Sequence, residues 1–159
     1  MSVLKKSVLV LAVATSLVAA TVSVAQEATS LKHANYSTEL RQSVFSLLGS
    51  NMGPLGAMAK GKAPFDAQKA EKHALRINQL SLMIADYSRT DTSKFDVETE
   101  ALAKIWQETD NYSHRIEDLT KASAALMAAA KTKDEAATKK AIGGVGKTCG
   151  GCHDDFKKD

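Results

Sequence analysis

The sequence lacks the features that would indicate several common classes of protein. It contains two cysteines among 159 residues, and no second cysteine pair or histidine pair stands at the spacing of a zinc site. Aromatic residues make up 5% of the chain, and they form no aromatic-basic patch of the kind that binds nucleic acid. Strand patterns, internal repeats and low-complexity tracts are also missing. These absences favour a helical protein whose chemistry depends on few residues.

Both cysteines belong to one motif, Cys149-Gly150-Gly151-Cys152-His153, close to the C-terminus. Two thiols three residues apart, followed directly by an imidazole, are typical of a c-type haem attachment site. The thiols form thioethers with the vinyl groups of the porphyrin, and the histidine binds the iron. On a helix these three side chains share one face. A disulfide or thiol redox pair is the alternative, but no βαβ pattern surrounds the motif.

The N-terminal segment has the composition of a cleaved export signal. Lys5 and Lys6 precede an apolar run over residues 7–19, and Ser23-Val24-Ala25 supplies the small residues that signal peptidase reads. We therefore expect a leader at residues 1–25 and a single domain at residues 26–159, located in a bacterial periplasm. A membrane anchor is the alternative interpretation, but the apolar run is short for a span.

Apolar residues at spacings of three and four predict four amphipathic helices. We expect them over about residues 37–58, from residue 67 to about residue 87, over residues 96–130, and from residue 132 to the C-terminal end. Asp66 is the expected N-cap of the second helix, and Thr132 with Glu135 has the spacing of a capping box. Four helices with short connections predict an all-α fold, an antiparallel four-helix bundle.

The haem motif continues the apolar stripe of the fourth predicted helix. This stripe contains Ile142, Val145, Cys149, Cys152 and Phe156. The porphyrin should therefore lie inside the bundle, near the C-terminal helix, rather than on its surface. Glycines at positions 143, 144 and 146 each weaken a helix by about 1 kcal/mol relative to alanine, and they would allow close approach of the ring or of a neighbouring helix.

The chain resembles the cytochromes c′, the class II c-type cytochromes, over residues 37–158. The segments that carry the resemblance are residues 41–45 (RQSVF), 59–66 (AKGKAPFD), 99–106 (TEALAKIW) and 149–157 (CGGCHDDFK). The third of these resembles the start of the family's third helix. Cytochromes c′ are four-helix bundles, and the resemblance implies one covalently attached haem c.

The resemblance also implies which residues form the site. Cys149 and Cys152 would hold the haem, and His153 would be the proximal iron ligand. Phe45 falls where low-spin relatives have a methionine ligand, and phenylalanine cannot coordinate a metal. The iron is therefore expected to be five-coordinate and high-spin. Further contacts with the haem and its propionates are implied at Arg41, Gln42, Thr99 and Glu100.

Two positions leave alternatives open. Lys157 stands where many members of the family have an arginine, and we expect it on the same helix face as His153; lysine keeps the charge but loses the planar fork. Met52 follows Phe45 by two helical turns, and it would be the sixth ligand if the register were different. Trp106 is interpreted as a core residue.

The expected function is the binding of nitric oxide or carbon monoxide at an open iron in an apolar pocket, with electron transfer to redox partner proteins as a further role. A low-spin His/Met electron carrier of the same class is the alternative. Peroxidase-like turnover would need a distal acid-base residue, and none is evident, so we do not expect an enzyme. The resemblance implies a homodimer through the first two helices, without contact to nucleic acid or, after signal cleavage, to a membrane.

Overall fold

Four long helices form a bundle in the computed structural model of the protein, which describes residues 25–158. The first packs on the second and the last, and the third long helix packs between the second and the last. The predicted all-α bundle is thus confirmed. The predicted leader lies outside the described residues, except for Ala25. The helices are α1 (Leu31–Ala59), α2 (Ala67–Ser88), the single turn α3 (Lys104–Gln107), α4 (Thr109–Lys131) and α5 (Glu135–Phe156).

The beginnings of α1 and α2 are set by side-chain caps. Ser30 caps α1, since its Oγ accepts a hydrogen bond of 3.2 Å from the N–H of His33. The helix therefore begins six residues before the predicted start, in a turn where the small Ala34 is buried and the larger apolar side chains are exposed. Asp66 caps α2 by accepting from the N–H of Lys69 at 3.0 Å, as predicted. Both caps satisfy N–H groups that the first helical turn leaves without partners.

The predicted start of the third helix at residue 96 is wrong. Residues 92–103 form a non-helical segment, here called the strap, which turns at residues 92–95 and then crosses to the end of α5. The N–H of Leu102 donates to the carbonyl of Phe156 at 2.9 Å, and the N–H of Lys158 donates to the carbonyl of Glu100 at 2.7 Å. These bonds satisfy backbone N–H and C=O groups that a helix would otherwise pair within itself. Residues 99–103 therefore do not begin a helix, and the first turn, α3, begins at Lys104.

The start of α5 also differs from the predicted capping box. Asp134 is the N-cap, and its Oδ1 accepts from the N–H of Ala137 at 2.9 Å. Thr132 instead donates its hydroxyl to the carbonyl of Ala129, at the end of α4. Lys133 turns the chain with a positive φ of 59°. The three-residue connection holds α4 and α5 side by side.

The bundle is held by one apolar core to which every long helix contributes. Leu55 of α1, Ile77 of α2, Leu126 of α4 and Val145 of α5 are fully buried. Burial of each such side chain stabilises the fold by about 1.5–3 kcal/mol. Two two-residue strands, β1 (Gln26–Glu27) and β2 (Thr90–Asp91), pair in parallel outside the bundle. Within residues 25–158, no helix combines the length and the apolar character that a membrane span requires.

Candidate haem site

The motif Cys149 to His153 lies on the last two turns of α5. Both thiols are free and half-buried, and they pack against the apolar core. Burial raises the pKa of the Cys149 thiol, and it raises the pKa of the Cys152 thiol to about 11. Both sulfurs are therefore protonated at neutral pH, as thiols that can add to vinyl groups. His153 is exposed on the same face of the helix.

Two adjoining cavities open beside these residues. The first has a volume of about 260 Å³, and its walls include apolar side chains from α1, α2 and α4. The second has a volume of about 490 Å³ and carries the polar groups Arg41, Gln42, Thr99, Glu100 and Lys157. Four residues line both cavities, so we describe them as one cleft. The shared residues are Phe45, Tyr112, Cys152 and His153.

The lining residues show which positions of α1 and α5 face each other. The second cavity takes residues 41–46 from α1 and residues 152–156 from α5, together with the residue that follows α5. The first takes residues 45–52 from α1 and residues 146–153 from α5. The two helices therefore run in opposite directions along the cleft. Phe45 lies at the level of His153, while Met52 lies at the level of Gly146, about 10 Å further along the helix at 1.5 Å per residue.

Arg41 carries an unpaired donor into the polar half of the cleft. Its side chain is 2% exposed, and its Nη2 lies 3.5 Å from the hydroxyl oxygens of both Thr38 and Thr99. Its Nη1 is buried without a hydrogen-bond partner, and burial lowers the pKa of the guanidinium. A buried, unpaired charged donor is costly unless an anion meets it. The group therefore fits a haem propionate.

The guanidinium of Arg41 packs on the ring of Trp106. Its Cζ lies 5.2 Å from the centroid of the indole ring, within the range of a cation–π contact. The indole N–H donates to the carbonyl of Ser88 at 2.8 Å, which fixes the ring. Trp106 is therefore more than a core residue, because its ring also supports the Arg41 guanidinium.

The remaining polar residues of the cleft are joined through the strap. Gln42 donates from Nε2 to the carbonyl of Glu98 at 3.0 Å, and the hydroxyl of Thr99 accepts from the N–H of Ala101 at 3.1 Å. Glu100 forms an ion pair of 2.9 Å with Lys157, which lowers the pKa of the Glu100 carboxyl. The polar rim of the cleft is thus built by α1 and the strap together.

The expected position of Lys157 on the helix face of His153 is wrong. Helix α5 ends at Phe156, and Lys157 is extended, with φ −115° and ψ 144°. Its side chain lines the second cavity and reaches Glu100 instead of following the helix. The helix ends here because the strap takes the backbone groups of residues 156 and 158.

Sequence reasoning missed two cleft residues on α4. Tyr112, which is not among the predicted site residues, lines both cavities. Its hydroxyl lies 3.0 Å from that of Ser88, and burial raises its pKa to about 12. Arg115, three residues later on the same face, lines the first cavity and pairs with Asp155 at 2.7 Å. The spacing of three residues, which places Tyr112 and Arg115 on one face of α4, was the sequence signal for this pair.

The cleft fits a covalent haem in its donors and in its polarity. Two thiols and an imidazole lie on one helix face, the inner part of the cleft is mostly apolar, and a guanidinium with one unpartnered nitrogen lines the outer part. A porphyrin has the same division between its apolar ring and its propionates. The predicted pocket residues Arg41, Gln42, Phe45, Thr99 and Glu100 all line this cleft.

Comparisons with known proteins agree with this geometry. Residues 37–157 match the protein family described as cytochrome C′. The chain is 41% identical over 128 residues to a cytochrome c′ of Cereibacter sphaeroides, covering 78% of this chain and 84% of that protein. Its fold is similar to that of cytochrome c′ from Shewanella frigidimarina, with a TM-score of 0.72, 39% identity and coverage of 79% and 97%.

A third similar structure contains a ligand. It is a variant of cytochrome c′ from Alcaligenes xylosoxidans, in the ferrous state with bound nitric oxide. Its TM-score to this chain is 0.70 and its identity is 26%, covering 82% of this chain and 98% of that one. In that relative, then, the same fold holds nitric oxide.

Proposed function

The chain belongs to the cytochrome c′ family and carries a covalent haem c, and on this basis we propose that it binds nitric oxide and carbon monoxide at a five-coordinate, high-spin iron. In this proposal Cys149 and Cys152 attach the haem, and His153 is the proximal ligand. Electron exchange with redox partner proteins is a secondary role. The export signal expected at residues 1–25 supports a periplasmic location.

The observation that carries the proposal is the position of Phe45. It lies at the level of His153 and lines both halves of the cleft. Its benzyl ring has no lone pair to offer a metal, and it is large enough to restrict access from the side opposite the imidazole. The ring is 37% exposed, so a small ligand can pass beside it.

The polarity of the first cavity supports selection among diatomic ligands. When bound, the haem supplies an iron with one vacant coordination position. The side chains that α1 and α2 contribute to this cavity are apolar, including Leu48, Ile77 and Ile84, and they donate no hydrogen bond. Bound dioxygen is polar and requires such a donor, whereas nitric oxide and carbon monoxide do not. The nitric oxide complex of a relative agrees with this preference.

An optical spectrum of the purified holoprotein, with and without nitric oxide, tests the proposal. We expect a high-spin, five-coordinate spectrum that changes on addition of nitric oxide or carbon monoxide. Phe45→Met should introduce a sulfur donor and convert the iron to a low-spin His/Met state. Phe45→Leu is the matched control, and it should remain high-spin while binding carbon monoxide faster.

A low-spin electron carrier is the second candidate, because Met52 also lines the first cavity. Met52→Leu distinguishes the two. If the wild-type spectrum is low-spin and Met52→Leu makes it high-spin, the thioether of Met52 is the sixth ligand and the first proposal is wrong. Under the first proposal, this substitution leaves the spectrum unchanged.

We propose a binding role rather than catalysis. Besides the predicted haem-binding residues Cys149, Cys152 and His153, the titratable groups of the cleft are Arg41, Arg115, the Glu100–Lys157 ion pair and the Tyr112 phenol. The ion pair lowers the pKa of the Glu100 carboxyl, and the raised pKa of about 12 makes Tyr112 a poor proton donor near neutral pH. Peroxide turnover at a rate no higher than that of free haem is the expected result. Rapid turnover that disappears in Arg41→Gln would contradict it.

Exposed apolar side chains support a homodimer through α1 and α2. Within residues 25–158, all the large apolar side chains that are exposed lie on these two helices, and six of them lie outside the cleft. These six side chains would be covered if two copies packed through this face. They are Leu31, Tyr36 and Leu47 on α1, and Leu75, Leu82 and Met83 on α2.

A further inference from the structure

An ion pair joins α4 to α5 beside the haem-attachment turn. Nε and Nη2 of Arg115 donate to the same oxygen, Oδ2 of Asp155, at 2.9 and 2.7 Å. The two side chains are 36% and 30% exposed, respectively. Among the ion pairs of residues 25–158, this is the one that includes a residue of the first cavity. Surface pairs of this kind contribute little to stability, so its place beside the cleft requires another explanation.

The guanidinium lies directly on the attachment motif. A Cβ added at Gly151 would lie 3.1 Å from Nη1 and 3.7 Å from Cζ of Arg115. The same test at Gly150 meets no atom within 4 Å, and the other glycines of α5 give the same result. The space that Gly151 leaves is therefore filled by this one cation, between Cys149 and Cys152.

Of the two residues of this pair, only Arg115 lines the cleft. Arg115 lines the first cavity together with both cysteines and His153, whereas Asp155 lines neither cavity. A haem held by Cys149 and Cys152 would therefore have the Arg115 cation in the wall of its cleft, whereas the Asp155 carboxylate would lie outside that wall. The Arg115 side chain is 36% exposed, so solvent screens its charge in part, and its effect on a charge at the iron corresponds to an effective dielectric constant of about 20.

We infer that Arg115 is a fixed cation that raises the reduction potential of the haem, with Asp155 as its positioning residue. The ferric group carries one more positive charge than the ferrous group, and a neighbouring cation disfavours the ferric state. One-electron reduction removes this repulsion without forming or breaking a bond. The inference depends on covalent attachment at Cys149 and Cys152, and it is independent of nitric oxide binding.

Redox titration of the holoprotein at pH 7 and low salt tests this role. Arg115→Gln should favour the ferric state, with the ferric-to-ferrous ratio at a fixed potential rising roughly two- to tenfold. Asp155→Asn should move the ratio in the opposite direction, because it leaves the cation uncompensated. The double variant should return towards wild type. Added salt should reduce both shifts by screening.

The two single variants are expected to shift the reduction potential in opposite directions, and this difference separates an electrostatic role from a structural one. Each single substitution breaks the same hydrogen-bonded pair, so loss of structure alone would move the potential in one direction for both. That result overturns the inference, as does no shift in either variant. Urea unfolding of the same variants measures the structural effect separately.

Two further sets of variants complete the test. Arg115→Lys keeps the charge and loses the two-point contact, so its potential should stay closer to wild type than that of Arg115→Gln. An equal shift would show that charge is not the cause. The matched control is Arg89 with Asp86, an exposed pair of 2.9 Å on no wall of the cleft. Arg89→Gln and Asp86→Asn should leave the potential unchanged.

Discussion

The guanidinium of Arg41 lies over the ring of Trp106, with 5.2 Å between Cζ and the ring centroid. This contact holds a buried cation at the polar end of the cleft while leaving Nη1 without a partner. Trp106 is itself fixed by its hydrogen bond to the carbonyl of Ser88. The protein thus holds a preorganised charged donor in the place where an anionic group of the haem would accept a hydrogen bond.

Replacement of Arg41 by methionine tests whether this preorganised donor stabilises the holoprotein. Arg41→Met keeps much of the packing on Trp106 but removes the donor, so the holoprotein should lose about 2–3 kcal/mol of unfolding free energy, as for a hydrogen bond between charged groups. Urea unfolding followed by the haem absorbance measures the change. Arg76→Met, at an exposed position of α2, is the control and should change stability by less than about 0.5 kcal/mol.

Sequence patterns were sufficient where a residue's chemistry and its spacing agreed. Cys149, Cys152 and His153 were predicted because their spacing is set by the porphyrin and the iron. The bundle and the Asp66 cap followed from apolar periodicity and from local capping preferences. These features depend on residues close together in the chain, and so they could be recognised from the sequence.

Features that depend on distant contacts were missed. The strap is non-helical because its carbonyl and N–H groups bond to the end of α5, more than 50 residues later. The Arg115–Asp155 pair spans 40 positions, and either residue alone resembles an ordinary surface charge. The predicted N-cap of α5 was wrong for a local reason. Asp134 competes with Thr132 for this position, and an aspartate is the stronger N-cap.

Two glycines of α5 should respond differently to alanine. Gly143 is exposed on the helix surface, so Gly143→Ala should raise the unfolding free energy of the holoprotein by about 1 kcal/mol through helix propensity. Gly146 lines the first cavity, where the added methyl group would meet the haem. Gly146→Ala should therefore lose that gain and lower the yield of haem-loaded protein. Urea unfolding and the ratio of haem to protein absorbance measure both effects. Equal gains at the two positions would mean that the ring does not lie over Gly146.

Tyr112 should make the protein sensitive to alkaline pH. Its pKa is raised to about 12, from about 10 in the unfolded chain. Between these values the unfolded state has lost its proton and the folded state has kept it. This contribution to stability is complete below pH 10 and is lost as the pH rises through about 12, with a total of about 3 kcal/mol.

Tyr112→Phe removes that titration. Its unfolding free energy should fall less steeply than that of wild type between pH 10 and 12, as measured by guanidinium unfolding at a series of pH values. Tyr36→Phe is the matched control, because Tyr36 is 60% exposed, and its curve should follow wild type. Parallel curves for Tyr112→Phe and wild type would show that the phenol is not protected from ionisation.

The exposed apolar face of α1 and α2 should control the oligomeric state. Leu47 and Leu82 are 52% and 58% exposed, and a lysine at either position would place an uncompensated charge in a closed interface. Leu47→Lys and Leu82→Lys should therefore shift a dimer to monomers, with sedimentation velocity as the measurement. Single lysine substitutions at exposed sites away from this face, such as Ala136→Lys on α5, should leave the dimer intact. If wild type sediments as a monomer at millimolar concentration, the apolar face does not join two copies of this chain.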